Sequence, residues 1–220
     1  MSMLVVAAAK DYAWLWFLLV MAAFLGVAFY LQLKRRKDLE QVAQAMGFQF
    51  QAAEEAMPDA GFHRLPIFNQ SHKRSNFLRG RGALGDVFLA DVWVGSGKNS
   101  YSQTVACFQL SGRQLPAFTL SPESFLHKIG AALGYKDINF ESNPVFSKSY
   151  LLRGQDEGAI REAFRLEVLQ FFEKEKGWTV EADGEWLSVH RRARLVSPKD
   201  IRSFHEQGEE VARQFVQSRW

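Results

Sequence analysis

The chain has 220 residues, 47% hydrophobic and 14% aromatic, which is enough apolar material for a folded core and excludes a disordered chain. Its single cysteine, Cys107, excludes an intrachain disulfide framework and a cysteine-rich zinc site. The net charge of +3 is local: five of the 27 Lys and Arg and one of the 24 Asp and Glu precede Asp38, so 22 cations face 23 anions from there on. The surplus is the run Lys34, Arg35, Arg36 and Lys37, and a chain whose folded part is nearly neutral makes nucleic acid an unlikely partner.

Residues 12–31 carry no charge and no strongly polar side chain. As a helix, twenty such residues extend about 30 Å, the hydrocarbon thickness of a bilayer. Tyr12, Trp14 and Trp16 at one end and Tyr30 at the other have the placing of interfacial aromatic residues. A cleaved signal peptide fits less well, because Lys10 stands beside Asp11 and no small-x-small site follows the apolar run. Four consecutive cations after the span against Lys10 before it predict residues 1–11 as a short extracytoplasmic tail and the rest as cytoplasmic. The expected organisation is a span over 12–33, a basic juxtamembrane segment and short helix over 34–47, and a folded domain over 48–220. Lys34, Arg35, Arg36 and Lys37 are then membrane-surface and topology residues, and the bilayer is the first partner. Ala22 and Gly26 form a small-xxx-small pair, a candidate surface for self-association of the helix.

After the span, Leu39, Val42, Ala43 and Met46 share a helical stripe that Gly47 stops, and 48–50 alternates as a strand does. Strand-like runs follow at 62–68, 73–79, 87–94 and 104–110, the last two joined through a Gly- and Ser-rich loop over 95–102. In 87–94 both faces are apolar except for Asp91, which needs a partner if buried. Three helices are expected. The first starts at Ser121 and Pro122 and runs to Gly134; the second runs from near Asp156 to Gly177; the third starts at Ser197 and Pro198, with Asp200 completing a capping box. Further strand candidates are 138–140, 147–153, 178–181 and 186–191, with Asp183-Gly184 as a type I′ hairpin turn. Strands first, then helices among hairpins, predict an α+β fold: one N-terminal transmembrane helix, then a mostly antiparallel sheet with about three packed helices.

No motif carries recognisable chemistry. Gly95-Ser-Gly97-Lys98 lacks the remaining glycine and hydroxyl of a phosphate loop, since Val92 and Asn99 stand there. Glu123 and His127, four apart on a predicted helix, find no second such pair, and His63, His72, His190 and His205 are scattered. No catalytic residue, metal site or cofactor is assigned. Two basic groups stand out, His72, Lys73, Arg74, Arg79 and Arg81, and Arg191, Arg192 and Arg194; a solvated sheet face explains them as well as an anionic ligand does. On the last helix Ile201, Phe204, Val211 and Phe215 form a stripe that either packs on the sheet or docks a protein partner.

The segments Arg74…Asn76…Gly80, Gln103-Thr-Val-Ala-Cys-Phe108 and Leu115-Pro-Ala-Phe-Thr-Leu-Ser-Pro-Glu123, in the middle third of the chain, resemble uncharacterised bacterial single-span membrane proteins carrying a domain of unknown function. The resemblance implies a bacterial inner-membrane site and brings no catalytic residues. Three functions remain open: a membrane-anchored interaction or scaffolding module that meets a protein partner or further copies of itself; a membrane-tethered enzyme or ligand-binding domain using Asp91, Lys98 or Glu123 and His127; and a sensor of anionic lipid surfaces.

Overall fold

A computed structural model describes residues 13–53, 61–124 and 136–216. The apolar N-terminal stretch and the short amphipathic segment after it form one helix, α1 (Ala13–Met46), not two. Nothing between Trp14 and Met46 breaks helical geometry until Gly47, whose positive φ of 72° ends it with Phe48 N–H donating to Ala43 C=O. The basic run Lys34–Lys37 is therefore mid-helix, and the expected border between a span and a separate juxtamembrane helix does not exist as a structural break. Residues 14–34 are solvent-exposed apart from half-buried Ala28, whereas Leu39 and Ala43 are fully buried in the domain core. One helix thus begins as a segment long and apolar enough to cross a membrane and ends as part of a hydrophobic core.

Eight antiparallel strands make one sheet: β1 (Gln49–Gln51), β2 (Ser71–Gly82), β3 (Gly85–Val94), β4 (Tyr101–Gln109), β5 (Leu115–Pro122), β6 (Tyr150–Gly154), β7 (Thr179–Gly184) and β8 (Trp186–His190). Their order is β1-β2-β3-β4-β8-β7-β5-β6, so the β7–β8 hairpin is inserted in the middle of the sheet. That hairpin turns through Gly184 and Glu185. Only Gly184 has positive φ (63°), so the turn lies one residue later than the type I′ Asp183-Gly184 turn expected.

One face of the sheet carries the main core. Leu78, Leu89, Phe108, Leu120, Val180 and Val189 meet the buried half of α1 together with α3 (Pro144–Ser149), α4 (Glu157–Ala163), α5 (Leu166–Lys174) and α6 (Ile201–Val216). On the opposite face a smaller cluster of Phe88, Val92, Val105, Cys107 and Trp186 is covered by Phe62, Leu65, Ile67 and Phe68. Phe62 lies in a 3₁₀ turn (Gly61–Arg64), Ile67 and Phe68 in α2 (Pro66–Asn69) and Leu65 between the two, not in the strand expected over 62–68. Phe62, Leu65 and Phe68 recur every three residues, which suits helical turns, and Pro66 is at its favoured first position.

Other departures have similar causes. Ser121 and Pro122 end β5, paired with Leu151 and Tyr150, and do not open a helix. A residue before proline is driven toward extended backbone, so Ser-Pro ends a strand as readily as it caps a helix. The remainder of that expected helix, His127 included, falls largely outside the described residues. Residues 138–140 have no strand, and α3 takes the first half of the run 147–153. The second expected helix is two, α4 and α5, interrupted at Phe164 and Arg165; Asp156 caps α4 through Ala159 N–H at 3.0 Å. Ser197 precedes a 3₁₀ turn (Pro198–Asp200) without a side-chain cap.

Candidate functional site

Asp91 lies on β3 on the helix-covered face, two residues beyond core residue Leu89, and it has the partners that burial demands. Arg35 of α1 binds it bidentately, Nε to Oδ2 at 2.9 Å and Nη2 to Oδ1 at 2.9 Å. Asn76 Nδ2 donates to Oδ2 at 2.8 Å and Thr104 Oγ1 to Oδ1 at 2.9 Å. The third arm of Arg35, Nη1, reaches Val196 C=O at 2.8 Å, and Val196 N–H returns to Thr104 Oγ1 at 3.0 Å. Four donors on a nearly buried carboxylate, two from a guanidinium fork, make a strong and geometrically specific junction. It joins α1 to β2, β3, β4 and the loop after β8. Asn76 serves it at the cost of a left-handed backbone (φ 55°), at a register shift in β2 between Ser75 and Leu78. Of the four cations at 34–37, Arg35 is thus a structural clamp, while Lys34, Arg36 and Lys37 are exposed.

The register shows which end of the sheet the apolar helix leaves. Arg35 meets Asp91 near the end of β3, and Phe48, thirteen residues on, lies over Gly80, which pairs with Val87 near the start of β3. The exposed part of α1 therefore projects past the end of the sheet that holds the finish of β3, the start of β4, the finish of β8 and the start of β6. Trp93 is exposed at this end, and Leu195 is exposed next to Val196.

The same end bears a cleft of about 690 Å³. Its charged lining is Lys148, Lys176, Arg191, Arg192 and Arg194 against Glu123, with Tyr150 and Gly177 among the remaining wall. The turn 191–194 that supplies three of these cations is held rigidly. Ala193 has a left-handed backbone (φ 54°), its N–H donates to buried Gln103 Oε1 at 3.0 Å, and Arg194 C=O accepts from Thr104 N–H at 3.0 Å. Arg191 stacks 4.2 Å from the Trp178 ring and donates to Lys176 C=O at 2.9 Å; Arg192 lies 5.1 Å from the Tyr101 ring. Burial, followed by the nearby charge of Arg194, lowers the pKa of Arg191, and among the described residues its Nε is buried without an acceptor. The Tyr150 hydroxyl is shifted upward, chiefly by burial, and donates to Glu175 C=O.

The other candidates fall elsewhere. Lys98 is exposed in the 3₁₀ turn between β3 and β4 with no helix after it, so the loop has no phosphate-loop geometry. The first basic group splits: His72, Lys73 and Arg74 lie at the end where α1 leaves, while Arg79 and Arg81 lie at the far end beside Asp86. Ile201, Phe204, Val211 and Phe215 are buried in the main core, so the stripe on α6 offers no free docking surface. Ala22 and Gly26 are exposed on the apolar part of α1, and no atom lies within 4 Å of where a side chain on Gly26 would sit. Among the described residues no group of three or more metal-ligating side chains forms. Sequence reasoning reached Asp91 and the arginine turn but not the pairing with Arg35, which spans 56 positions and leaves no local pattern.

No protein-family model matches the chain, and no curated protein matches it significantly. Among solved structures it is similar to the mycobacterial trehalose monomycolate transport factor A, TtfA, with a TM-score of 0.54 at 14% identity over 83% of this chain and 90% of that one. At that identity the likeness is one of fold.

Proposed function

We propose that this chain is a membrane-anchored interaction module whose apolar helix holds a folded domain in one fixed orientation at the bilayer surface. The observation that carries the reading is the Arg35–Asp91 clamp, which makes the anchor and the sheet one rigid body where a flexible tether would have sufficed. The flanking charges argue for residues 1–11 outside and the domain in the cytoplasm of a bacterial inner membrane, in keeping with the resemblance to uncharacterised single-span proteins. TtfA is by name a transport factor, and an accessory, non-catalytic role beside a membrane process fits a shared fold of this kind. An enzymatic reading finds less support: Asp91 is consumed by its four donors, Lys98 stands on a hairpin tip, and Glu123 is the lone acid among the described residues of the cationic cleft.

The test is sidedness. Ser2→Cys in the full chain is expected to react with a membrane-impermeant maleimide on intact cells, and Gln217→Cys only after lysis. Native Cys107 is fully buried and does not compete. The reverse pattern overturns the cytoplasmic placement, and release of the protein by alkaline carbonate overturns the anchor itself.

A further inference from the structure

The cleft between the end of β5, the start of β6 and the turn 191–194 presents, among the described residues, five cations and one carboxylate, and it opens at the end of the sheet from which the apolar helix departs. Along the sheet, β5 is four strand spacings from β3, roughly 20 Å, so the cleft stands beside the helix exit and not across the domain from it. If α1 crosses a bilayer, lipid headgroups lie within reach of this end while the far end, where Arg79 and Arg81 stand beside Asp86, points away. We infer that the cleft is a binding site for the phosphate group of an anionic lipid headgroup in the membrane that anchors the protein.

Several features are those of a phosphate site and not of an ordinary solvated face. Guanidinium groups suit phosphate oxygens through paired N–H donors. Here they stand on a turn fixed by Gln103 and Thr104, so their spacing is set before any ligand arrives. Arg191 is half-buried beside the charge of Arg194, and an incoming anion relieves the repulsion between the two guanidinium groups. The volume suits a headgroup and is too small for a folded partner. Exposed Trp93, with Lys73 as its register partner, adds an aromatic and a cation on the same end, the pairing found at membrane interfaces. The inference rests on the membrane reading above, but it adds a ligand and a site.

The experiment uses the full chain in a nonionic detergent, titrated with short-chain phosphatidylglycerol or phosphatidylcholine below their micelle concentrations. Wild type is expected to bind phosphatidylglycerol at least about tenfold more tightly. Lys148→Gln with Arg194→Gln changes only exposed side chains and keeps the fold, which circular dichroism verifies; it is expected to lose the preference. The equal-charge control, Arg79→Gln with Arg81→Gln at the far end, is expected to keep it. Equal affinity for the two lipids, or a preference untouched by the cleft variant, overturns the proposal. Inorganic phosphate displacing the lipid at equal concentration also overturns it, by assigning the site to a soluble phosphate ligand. Carbonate extraction of the same variants reads the anchor separately, so a failed headgroup site and a failed membrane reading are told apart.

Discussion

At the scale of single residues, two carboxylates are buried among the described residues, and the fold treats them oppositely. Asp91 is met by a guanidinium and two neutral donors. Glu181, on β7, faces the smaller core and among the described residues meets only Ile67 N–H at 2.8 Å and Ser188 Oγ at 3.5 Å, and no cation. Burial raises its pKa from 4.5 to about 7, the two hydrogen bonds offsetting only part of the desolvation. The sign follows directly. Between pH 4.5 and 7 the folded state holds a proton that the unfolded state has released, so stability falls as pH rises through that window. Buried His190, its pKa pushed down to about 3 by burial and then by Arg192, opposes this, losing stability as pH falls below about 6.5. Glu181→Gln isolates the first effect, because an amide oxygen still accepts from Ile67 and nothing titrates. The variant is expected to gain on wild type by up to about 3 kcal/mol between pH 4.5 and pH 8, in denaturant unfolding of the detergent-solubilised chain. Parallel pH profiles for the two proteins would show that Glu181 is not the buried acid described.

At the scale of elements, what the sequence revealed depended on whether the signal was local. The strand over 87–94 was legible because both faces are apolar, and it is the interior strand β3. The last helix was legible from its periodicity, and its apolar stripe packs inward: Phe215 sits between Phe118, Phe164 and Phe172 with ring centroids 5.4–6.2 Å apart. Short helices were missed where an apolar run at spacing three passes for a strand, as at Phe62, Leu65 and Phe68. The split of α4 from α5 was also missed, since one amphipathic pattern runs through both. Of the candidate site, the arginine turn was visible as a charge cluster, but its partners come from β5, β6 and the segment after α5, and such a meeting is set by strand order alone. The packing of α6 makes its own prediction. Phe215→Ala should cost about 3–5 kcal/mol, the usual range for a large aromatic removed from a core. Phe215→Asp should leave the domain unfolded by circular dichroism, not folded and defective in binding. A folded Phe215→Asp protein would mean that the stripe faces a partner after all.

At the scale of the whole molecule, α1 has no boundary between its exposed apolar half and the half that enters the domain core. Leu39 and Ala43 belong to the core, and Arg35, a turn earlier, completes the network around Asp91. Where a chain is cut within this helix therefore decides more than solubility. A truncated chain starting at Lys34 keeps the clamp, whereas one starting at Asp38 retains the core contacts of α1 but leaves Asp91 with only Asn76 and Thr104. Removing one member of a buried, hydrogen-bonded ion pair strands the other charge and typically costs 3–5 kcal/mol. Arg35 keeps 18% of its side-chain surface exposed, which lets water screen part of the loss, so about 2–3 kcal/mol is the expected difference. For a domain of this size that corresponds to roughly 5–10 °C in melting temperature. Thermal unfolding of residues 34–220 and 38–220, both lacking the apolar segment, measures it, and Asp91→Asn in the shorter chain should recover part of the difference by removing the stranded charge. Equal melting temperatures for the two chains would show that the Arg35–Asp91 clamp adds nothing to the join, leaving the orientation of the apolar segment to the core contacts of Leu39 and Ala43 alone.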